Sequence, residues 1–157
     1  MKTSSVKPAL SCLLFGATAL VAVQTHAVGI GNLFSSMLGQ SGGQHMGVDE
    51  TLVKMSEKMN RTMPQTVDTD TRLDKVSAEP GNQIAYHYTM LKVQSKDINT
   101  ASFYKTFRPT LQKRVCSADE LKLFFRNRIT VAYAYQGVDG ADIGKLAFSP
   151  KDCGYPS

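Results

Sequence analysis

The chain has 157 residues, of which 42% are hydrophobic and 20% are charged, and its formal net charge is +5. This length suits one domain with a single hydrophobic core and is too short for two. Without Lys2 and Lys7, which lie in the predicted leader, the 18 basic residues become 16 against 13 acidic ones. A net charge of about +3 is too small for a dedicated nucleic-acid-binding protein, so we expect no nucleic-acid partner.

The first 27 residues have the layout of a secretory signal peptide. Lys2 and Lys7 precede an apolar run from Ala9 to Val23, and the segment ends in the tripeptide THA at 25–27. The apolar run is shorter than the roughly 20 residues that a membrane span needs. We therefore predict cleavage after Ala27 and delivery of the mature chain to the periplasm or the medium.

Two cysteines are expected to form a disulfide. Cys12 lies in the leader and leaves with it, so Cys116 and Cys153 remain in a chain that reaches an oxidising compartment. The pair lacks the CxxC spacing of redox-active thiols. We predict one structural disulfide in a single domain that spans residues 48–157.

Residues 28–47 are predicted to form an amphipathic segment and a glycine-rich tether. Large apolar side chains recur at the spacing of one helical face, and the glycines at 39, 42, 43 and 47 are typical of a flexible connection. One interpretation is a leader that is disordered or folds back on its own domain; the other is an element that docks on a membrane surface or in a partner's groove. The candidate binding residues are Ile30, Leu33, Phe34, Met37 and Leu38.

The next part of the chain predicts a helix and two strands. Asp49 is the predicted N-cap of a helix that ends before Pro64. A strand-like alternation runs from Val67 to Asp74, a turn follows at 80–82, and the next strand runs from Ile84 to Leu91. The pattern is typical of a hairpin that follows a helix.

The second half of the domain predicts two helices and two strands. A helical region runs from about Asn99 to Val115, and Pro109 is expected to kink or split it. Residues 117–120 match a capping box for a short helix, and strands are predicted to begin at Ile129 and Lys145. The order α-β-β-α-α-β-β predicts an α+β domain, with an antiparallel sheet of about four strands and helices packed on one face.

The two clearest strands alternate large and small side chains, so one face is rich in tyrosine and the other in alanine. Helices that cover the alanine face leave the tyrosines partly open. Alternatively, the tyrosines face the core with their hydroxyls at its margin. The residues on which this choice depends are also candidate binding residues: Tyr86, Tyr88, Tyr133 and Tyr135.

Residues suited to catalysis or metal binding are sparse. His87 is the one histidine inside the predicted domain, and neither cysteine is expected to be free, so we predict no histidine-based triad. The histidines are too few for a clustered metal site, and the acidic run at 68–74 departs from a calcium loop at Arg72. We predict no catalytic residue, no metal and no cofactor.

A basic stretch lies between Lys105 and Arg128, where Asp119 and Glu120 are the only acidic residues. Its excess of positive charge can attract an acidic partner or an anionic lipid surface. Solvated faces of two helices explain the same pattern without any partner. The candidate binding residues in this stretch are Arg108, Arg114 and Arg126.

The run PQTVDTDTRLDKVSAEPGNQIAYHYTML, with the later segments VC, YAYQGVDGADIGKL and DCG, resembles small, uncharacterised secreted proteins of Gram-negative bacteria. The resemblance covers about Met63 to Gly154. It implies an envelope location and a compact fold, and it transfers no active site.

These observations predict a non-catalytic cell-envelope protein that binds an unidentified envelope protein or a membrane surface. The alternative is a small secreted hydrolase that acts through carboxylates. A pocket with two carboxylates, or a buried polar cluster near His87, favours the enzyme. An uncovered apolar or aromatic patch favours binding.

Overall fold

The computed structural model describes residues 30–39 and 47–156. The predicted leader, its cleavage site and residues 40–46 of the predicted tether lie outside the described residues. The described part contains four α-helices and a five-stranded sheet. The helices are α1 (Ile30–Gly39), α2 (Val48–Asn60), α3 (Thr100–Ser117) and α4 (Asp119–Arg126); the strands are β1 (Gln65–Thr66), β2 (Thr71–Glu79), β3 (Gln83–Met90), β4 (Thr130–Gly137) and β5 (Asp142–Phe148).

The predicted α+β class is confirmed, and the order of the elements from α2 onward follows the prediction apart from the two-residue strand β1. The strands lie side by side in the order β1-β2-β3-β4-β5. Strands β3 and β4 run parallel, whereas the other neighbours are antiparallel, so the sheet is mixed. The cause is the connection: α3 and α4 return the chain to the start of β3 before β4 begins, and a parallel pair requires such a crossover.

The predicted helix starts differ from the observed ones in their caps. Gly47 is the N-cap of α2, and the Asp49 carboxylate instead accepts a hydrogen bond from the backbone N–H of Asn82, 3.1 Å away. The N-cap of α4 is Ala118, because the Ser117 hydroxyl donates to the carbonyl of Arg114 in α3. The Asp49 carboxylate thus stabilises the turn between β2 and β3, and the Ser117 hydroxyl bonds within the last turn of α3; neither caps the helix start to which the sequence assigned it.

The predicted kink or split at Pro109 does not divide α3, which continues through this residue. Pro109 is exposed, so the carbonyl that it leaves without a backbone donor can bind water. The predicted strand from Val67 to Asp74 is also displaced, because Asp68 accepts a hydrogen bond from the N–H of Asp70 and forms a turn there. The strand β2 begins after this turn.

The hydrophobic core lies between the helices and the tyrosine-bearing face of the sheet. Strand residues Ile84, Val131 and Leu146 and helix residues Leu52 and Phe124 are all fully buried. The predicted disulfide between Cys116 and Cys153 is confirmed, with the two Cα atoms 5.0 Å apart. It joins the end of α3 to the turn after β5.

The outer edge of β5 is blocked by α3. The Tyr104 hydroxyl accepts a hydrogen bond from the backbone N–H of Lys145 (3.0 Å), and Arg108 donates to the carbonyl of Ala147 (3.3 Å). Four residues along a helix rise about 6 Å and two residues along a strand about 6.6 Å, so the two spacings match. The helix therefore satisfies backbone groups that an edge strand exposes.

The opposite edge of the sheet is blocked at Val76 of β2 by Asn60, the last residue of α2. Its amide nitrogen donates to the Val76 carbonyl and its amide oxygen accepts from the Val76 N–H, both at 2.8 Å. The side chain thus replaces the backbone of a neighbouring strand. Among the described helices, none is long and apolar enough to cross a membrane.

Candidate functional site

Four tyrosines form a stacked row on the two central strands, which we call the tyrosine ladder: Tyr86, Tyr88, Tyr133 and Tyr135. The parallel register places Tyr86 beside Tyr133 and Tyr88 beside Tyr135. The ring centroids lie 5.7 Å apart for Tyr86 and Tyr133, 6.1 Å for Tyr133 and Tyr88, and 5.4 Å for Tyr88 and Tyr135. The rings therefore form a continuous aromatic row across two strands.

The tyrosine ladder lies between two helices. Helix α2 packs against β2 and α3 against β5, and the central strands lie between them. Helix α4 contacts β4 and brings the Glu120 carboxylate close enough to affect Tyr86 and Tyr133. On the α3 side, Phe103 and Phe107 meet the Tyr135 ring edge to face at 5.6 and 6.1 Å. Phe103 is buried, whereas Phe107 keeps 41% of its surface exposed. The row of tyrosine rings thus continues into an exposed phenylalanine.

The tyrosines face the helices, as in the interpretation that places them at the margin of the core. Tyr86 is buried, and the other three ladder residues are half-buried. The hydroxyl of Tyr86 is buried and has no hydrogen-bond partner among the described residues. The ladder therefore combines a closed end at Tyr86 with a partly open end at Tyr88 and Tyr135.

The ladder hydroxyls stay protonated at neutral pH. Burial raises the pKa of Tyr86, Tyr88 and Tyr133 well above the ordinary value of 10. Burial also raises the pKa of Tyr135 to about 12, although the positive charge of Arg114 acts in the opposite direction. The ladder is therefore an uncharged aromatic surface whose polar groups are hydrogen-bond donors.

The three candidate arginines have different environments. Arg108 lies 3.3 Å from the Asp152 carboxylate and packs over the Phe148 ring, so it takes part in the internal structure. Arg114 and Arg126 are exposed. Arg114 lies close enough to the ladder to affect Tyr135, whereas Arg126 lies at the end of α4.

The predicted amphipathic segment forms α1 and packs on the domain's own helices, α2 and α4. Phe34 is fully buried and stacks on Phe124, with the ring centroids 4.9 Å apart. Leu33 and Met37 are partly buried against the core. Ile30 and Leu38 belong to the helix, but their side chains lie outside the described part.

The alanine face of the sheet carries a polar pair that the sequence analysis missed. Ser77 Oγ and His87 Nε2 lie 2.8 Å apart in a hydrogen bond between β2 and β3. Burial lowers the pKa of His87, and the positive charge of Lys75 lowers it further. The alternation of β2 could have placed Ser77 on this face. The sequence analysis placed that strand at Val67 to Asp74, however, so Ser77 was not assigned to it.

A second polar group lies on the same face. Thr89 donates a hydrogen bond to the Asp74 carboxylate, and Gln136 donates to the Thr89 hydroxyl at 2.8 Å. Within the described ranges no group of three or more histidine, cysteine, aspartate and glutamate residues is placed to hold a metal ion. The two groups thus consist of polar residues that bond to one another across neighbouring strands.

Two solved structures share this fold. One is a candidate secreted protein (PA3611) from Pseudomonas aeruginosa, with a TM-score of 0.55 and 19% identity over 70% of this chain and 99% of that chain. The other is the pilotin EpsS of the Vibrio vulnificus type 2 secretion system, with a TM-score of 0.51 and 9% identity over 70% of this chain and 94% of that chain. The first agrees with the resemblance to secreted bacterial proteins.

No curated protein matches the chain at a significant level. A family model described as "Domain of unknown function (DUF8479)" matches residues 48–143, from the start of α2 into β5. The match includes the whole tyrosine ladder and covers more than half of the chain. The chain therefore belongs to the DUF8479 family.

Proposed function

We propose that this protein is a secreted, non-catalytic accessory protein of the cell envelope that binds an apolar segment of another envelope protein over the tyrosine ladder. The observation that carries the proposal is the partly open aromatic row of Tyr88, Tyr133 and Tyr135, which continues into exposed Phe107. Tyrosine rings offer large contact areas with few rotatable bonds, and aromatic residues are enriched where proteins bind each other. A partner segment that covers the row buries apolar surface against the rings, and its carbonyl groups can accept hydrogen bonds from the tyrosine hydroxyls.

The structure favours a helical partner segment over an added strand. Strand addition needs an open sheet edge of some length. The edge strand β1 has only two residues, Asn60 bonds to the uncovered part of β2 at Val76, and α3 bonds to the edge of β5. The tyrosine ladder, in contrast, lies between two helices. An amphipathic helix placed there presents its apolar face to the rings.

The envelope location is supported by the leader-like first 27 residues and by the disulfide between Cys116 and Cys153, which is typical of oxidising compartments. The likeness to a secretion-system pilotin supports an accessory rather than a catalytic role.

The proposal is tested by affinity capture from solubilised envelope with quantitative mass spectrometry. Phe107→Asp places a charge beside the ladder and should reduce the captured partner by at least about tenfold, since a desolvated charge costs more than 1.4 kcal/mol. Val53→Asp is the matched control, because Val53 is also an exposed apolar residue, at 44%, on α2. Equal capture by both variants would contradict the assignment of the ladder as the binding surface.

A second candidate function is a hydrolase, and the hydrogen bond between Ser77 and His87 is the observation that favours it. A lowered pKa leaves the imidazole neutral and able to accept a proton. Within the described residues, however, no carboxylate bonds to this histidine to orient it. Loss of p-nitrophenyl acetate hydrolysis in Ser77→Ala would support the hydrolase, and unchanged hydrolysis would exclude this serine as the nucleophile.

A further inference from the structure

Helix α3 presents an apolar face to the tyrosine ladder, and a positive charge follows on the same face. Phe107 meets the Tyr135 ring, Leu111 is partly buried against the core, and Arg114 continues the spacing of one helical face. The axial rise from Phe107 to Arg114 is about 10.5 Å, which is two turns of helix. The exposed Arg114 side chain lies close enough to act on Tyr135. The α3 side of the ladder is therefore apolar over two turns and then carries a cation.

Helix α4 places the opposite charge beside the other ladder residues. Glu120 is exposed in the first turn of α4, and this helix contacts β4. Its carboxylate lies close enough to act on Tyr86 and Tyr133. An acidic residue in the first turn stabilises a helix, but Asp119 in the same turn already supplies that charge. The stability of α4 therefore does not by itself account for a carboxylate beside the ladder.

Neither charge is neutralised by another side chain of the described residues. Arg114 and Glu120 form no ion pair there, whereas Asp119, in the same turn as Glu120, pairs with Lys122. The ladder between them is uncharged, because its hydroxyls stay protonated. Two charges of opposite sign beside an aromatic row are complementary to a partner surface with an apolar face and the two opposite charges.

We propose that the helix bound over the tyrosine ladder carries one acidic and one basic residue beside its apolar face, the acidic residue on Arg114 and the basic residue on Glu120. This inference rests on the proposed function, because it specifies the partner of the same site. The tyrosine rings supply the contact area. The two charges fix the direction of the bound helix, since turning it round brings like charges together.

The test measures the binding of three designed helical peptides to the full mature chain by fluorescence anisotropy. The peptides share one leucine-rich face and differ in two residues beside it, one helical turn apart: a glutamate with a lysine, two glutamates, or two lysines. At about 10 mM salt, where charges are screened least, the mixed peptide should bind with a Kd about threefold to tenfold lower than that of either other peptide. At about 1 M salt, screening should remove the difference.

Charge reversal should switch this preference, which a destabilised variant does not do. Arg114→Glu should bind the two-lysine peptide best, and Glu120→Lys the two-glutamate peptide. Lys113→Glu is the matched control, because Lys113 is an exposed cation next to Arg114 and has no recorded effect on the ladder, so it should keep the wild-type preference. Arg114→Gln guards against misfolding of the reversed variants. It should bind the mixed and the two-lysine peptides equally, since Glu120 alone then discriminates between charges.

Three results would overturn the inference. The first is a preference that neither Arg114→Glu nor Glu120→Lys changes, and the second is the absence of binding of the mixed peptide to the wild type. The third is binding to vesicles of anionic phospholipid that Arg114→Glu abolishes while no peptide binds, which would assign Arg114 to a membrane contact.

Phe107→Asp separates this inference from the proposed function. If this variant weakens the binding of all three peptides while charge reversal changes no preference, a helix binds over the ladder but the charge pattern of the partner is wrong. If it weakens the binding of none of them, the ladder is not the surface that binds the helix.

Discussion

Lys145 of β5 forms an ion pair with Glu79 of β2, with its ammonium nitrogen 2.5 Å from the carboxylate, although two strands lie between them. The pair crosses the alanine face of the sheet, where Ala85 and Ala132 are neighbours in the register. Both alanines are fully buried, even though the helices pack on the other face. Small side chains on the central strands leave the space that the two long side chains need to meet.

This arrangement predicts that larger side chains are not tolerated beneath the ion pair. Ala132→Leu should lower the free energy of unfolding by about 1–3 kcal/mol, because the added atoms enter an occupied space. The matched control is Ala134→Leu, two residues along the same strand and face, where the alanine is only half-buried. Urea denaturation measures both variants, and an equal loss in the two would show that the ion pair does not fill this space.

The stability of the protein should depend on the protonation of His87. Burial, together with Lys75, lowers the pKa of this residue below its ordinary value of 6.5. The stability that its neutral form contributes is present above pH 6.5 and is lost as the pH falls through the lowered pKa. His87→Gln should therefore show a smaller loss of unfolding free energy between pH 7 and pH 5 than the wild type. The same pH dependence in both proteins would contradict this assignment.

Asn60 should protect the edge of β2 from exchange with solvent. Asn60→Ala removes both hydrogen bonds to Val76 and should lower stability by about 1–3 kcal/mol, since it leaves two backbone groups unpaired. Hydrogen–deuterium exchange should accelerate at the Val76 amide. Lys58→Ala, an exposed position on the same helix, is the control and should leave that amide protected.

The disulfide should contribute stability without any catalytic role. Replacing Cys116 by serine should lower the free energy of unfolding by about 2–5 kcal/mol, as is usual for a native disulfide in a small secreted domain. The double variant with Cys153→Ser should be no less stable than the single variant. Mass spectrometry of the non-reduced tryptic digest should show the two peptides linked, and free thiols at both positions would exclude the structural disulfide.

The sequence was sufficient for features with a local pattern. The alternation of residues 84–91 and 129–136 identified two strands and placed their tyrosines on one face, and the even cysteine count identified the disulfide. Alternation carries no information about strand direction, so the parallel pairing of β3 and β4 was not predicted. It depends on where α3 and α4 return the chain.

Polar contacts between residues far apart in the chain could not be predicted from the sequence either. Ser77 and His87 meet because of the register between β2 and β3, which has an irregularity between Leu73 and Lys75. The ion pair between Glu79 and Lys145 could be predicted only from the order in which β2, β3, β4 and β5 lie in the sheet. For the tyrosine ladder, the sequence supplied the residues, but their partial exposure depends on how far apart α2 and α3 lie.

The most direct test of the proposed function is photo-crosslinking in intact cells, with a photoreactive phenylalanine analogue at position 107. The proposal predicts a crosslink to one envelope protein at this position that is reduced when Tyr88 and Tyr135 are replaced by serine. It predicts no such product with the analogue at position 75, on the opposite face of the sheet. A product of equal yield at both positions, or one at position 107 that is independent of the two tyrosines, would contradict binding over the tyrosine ladder.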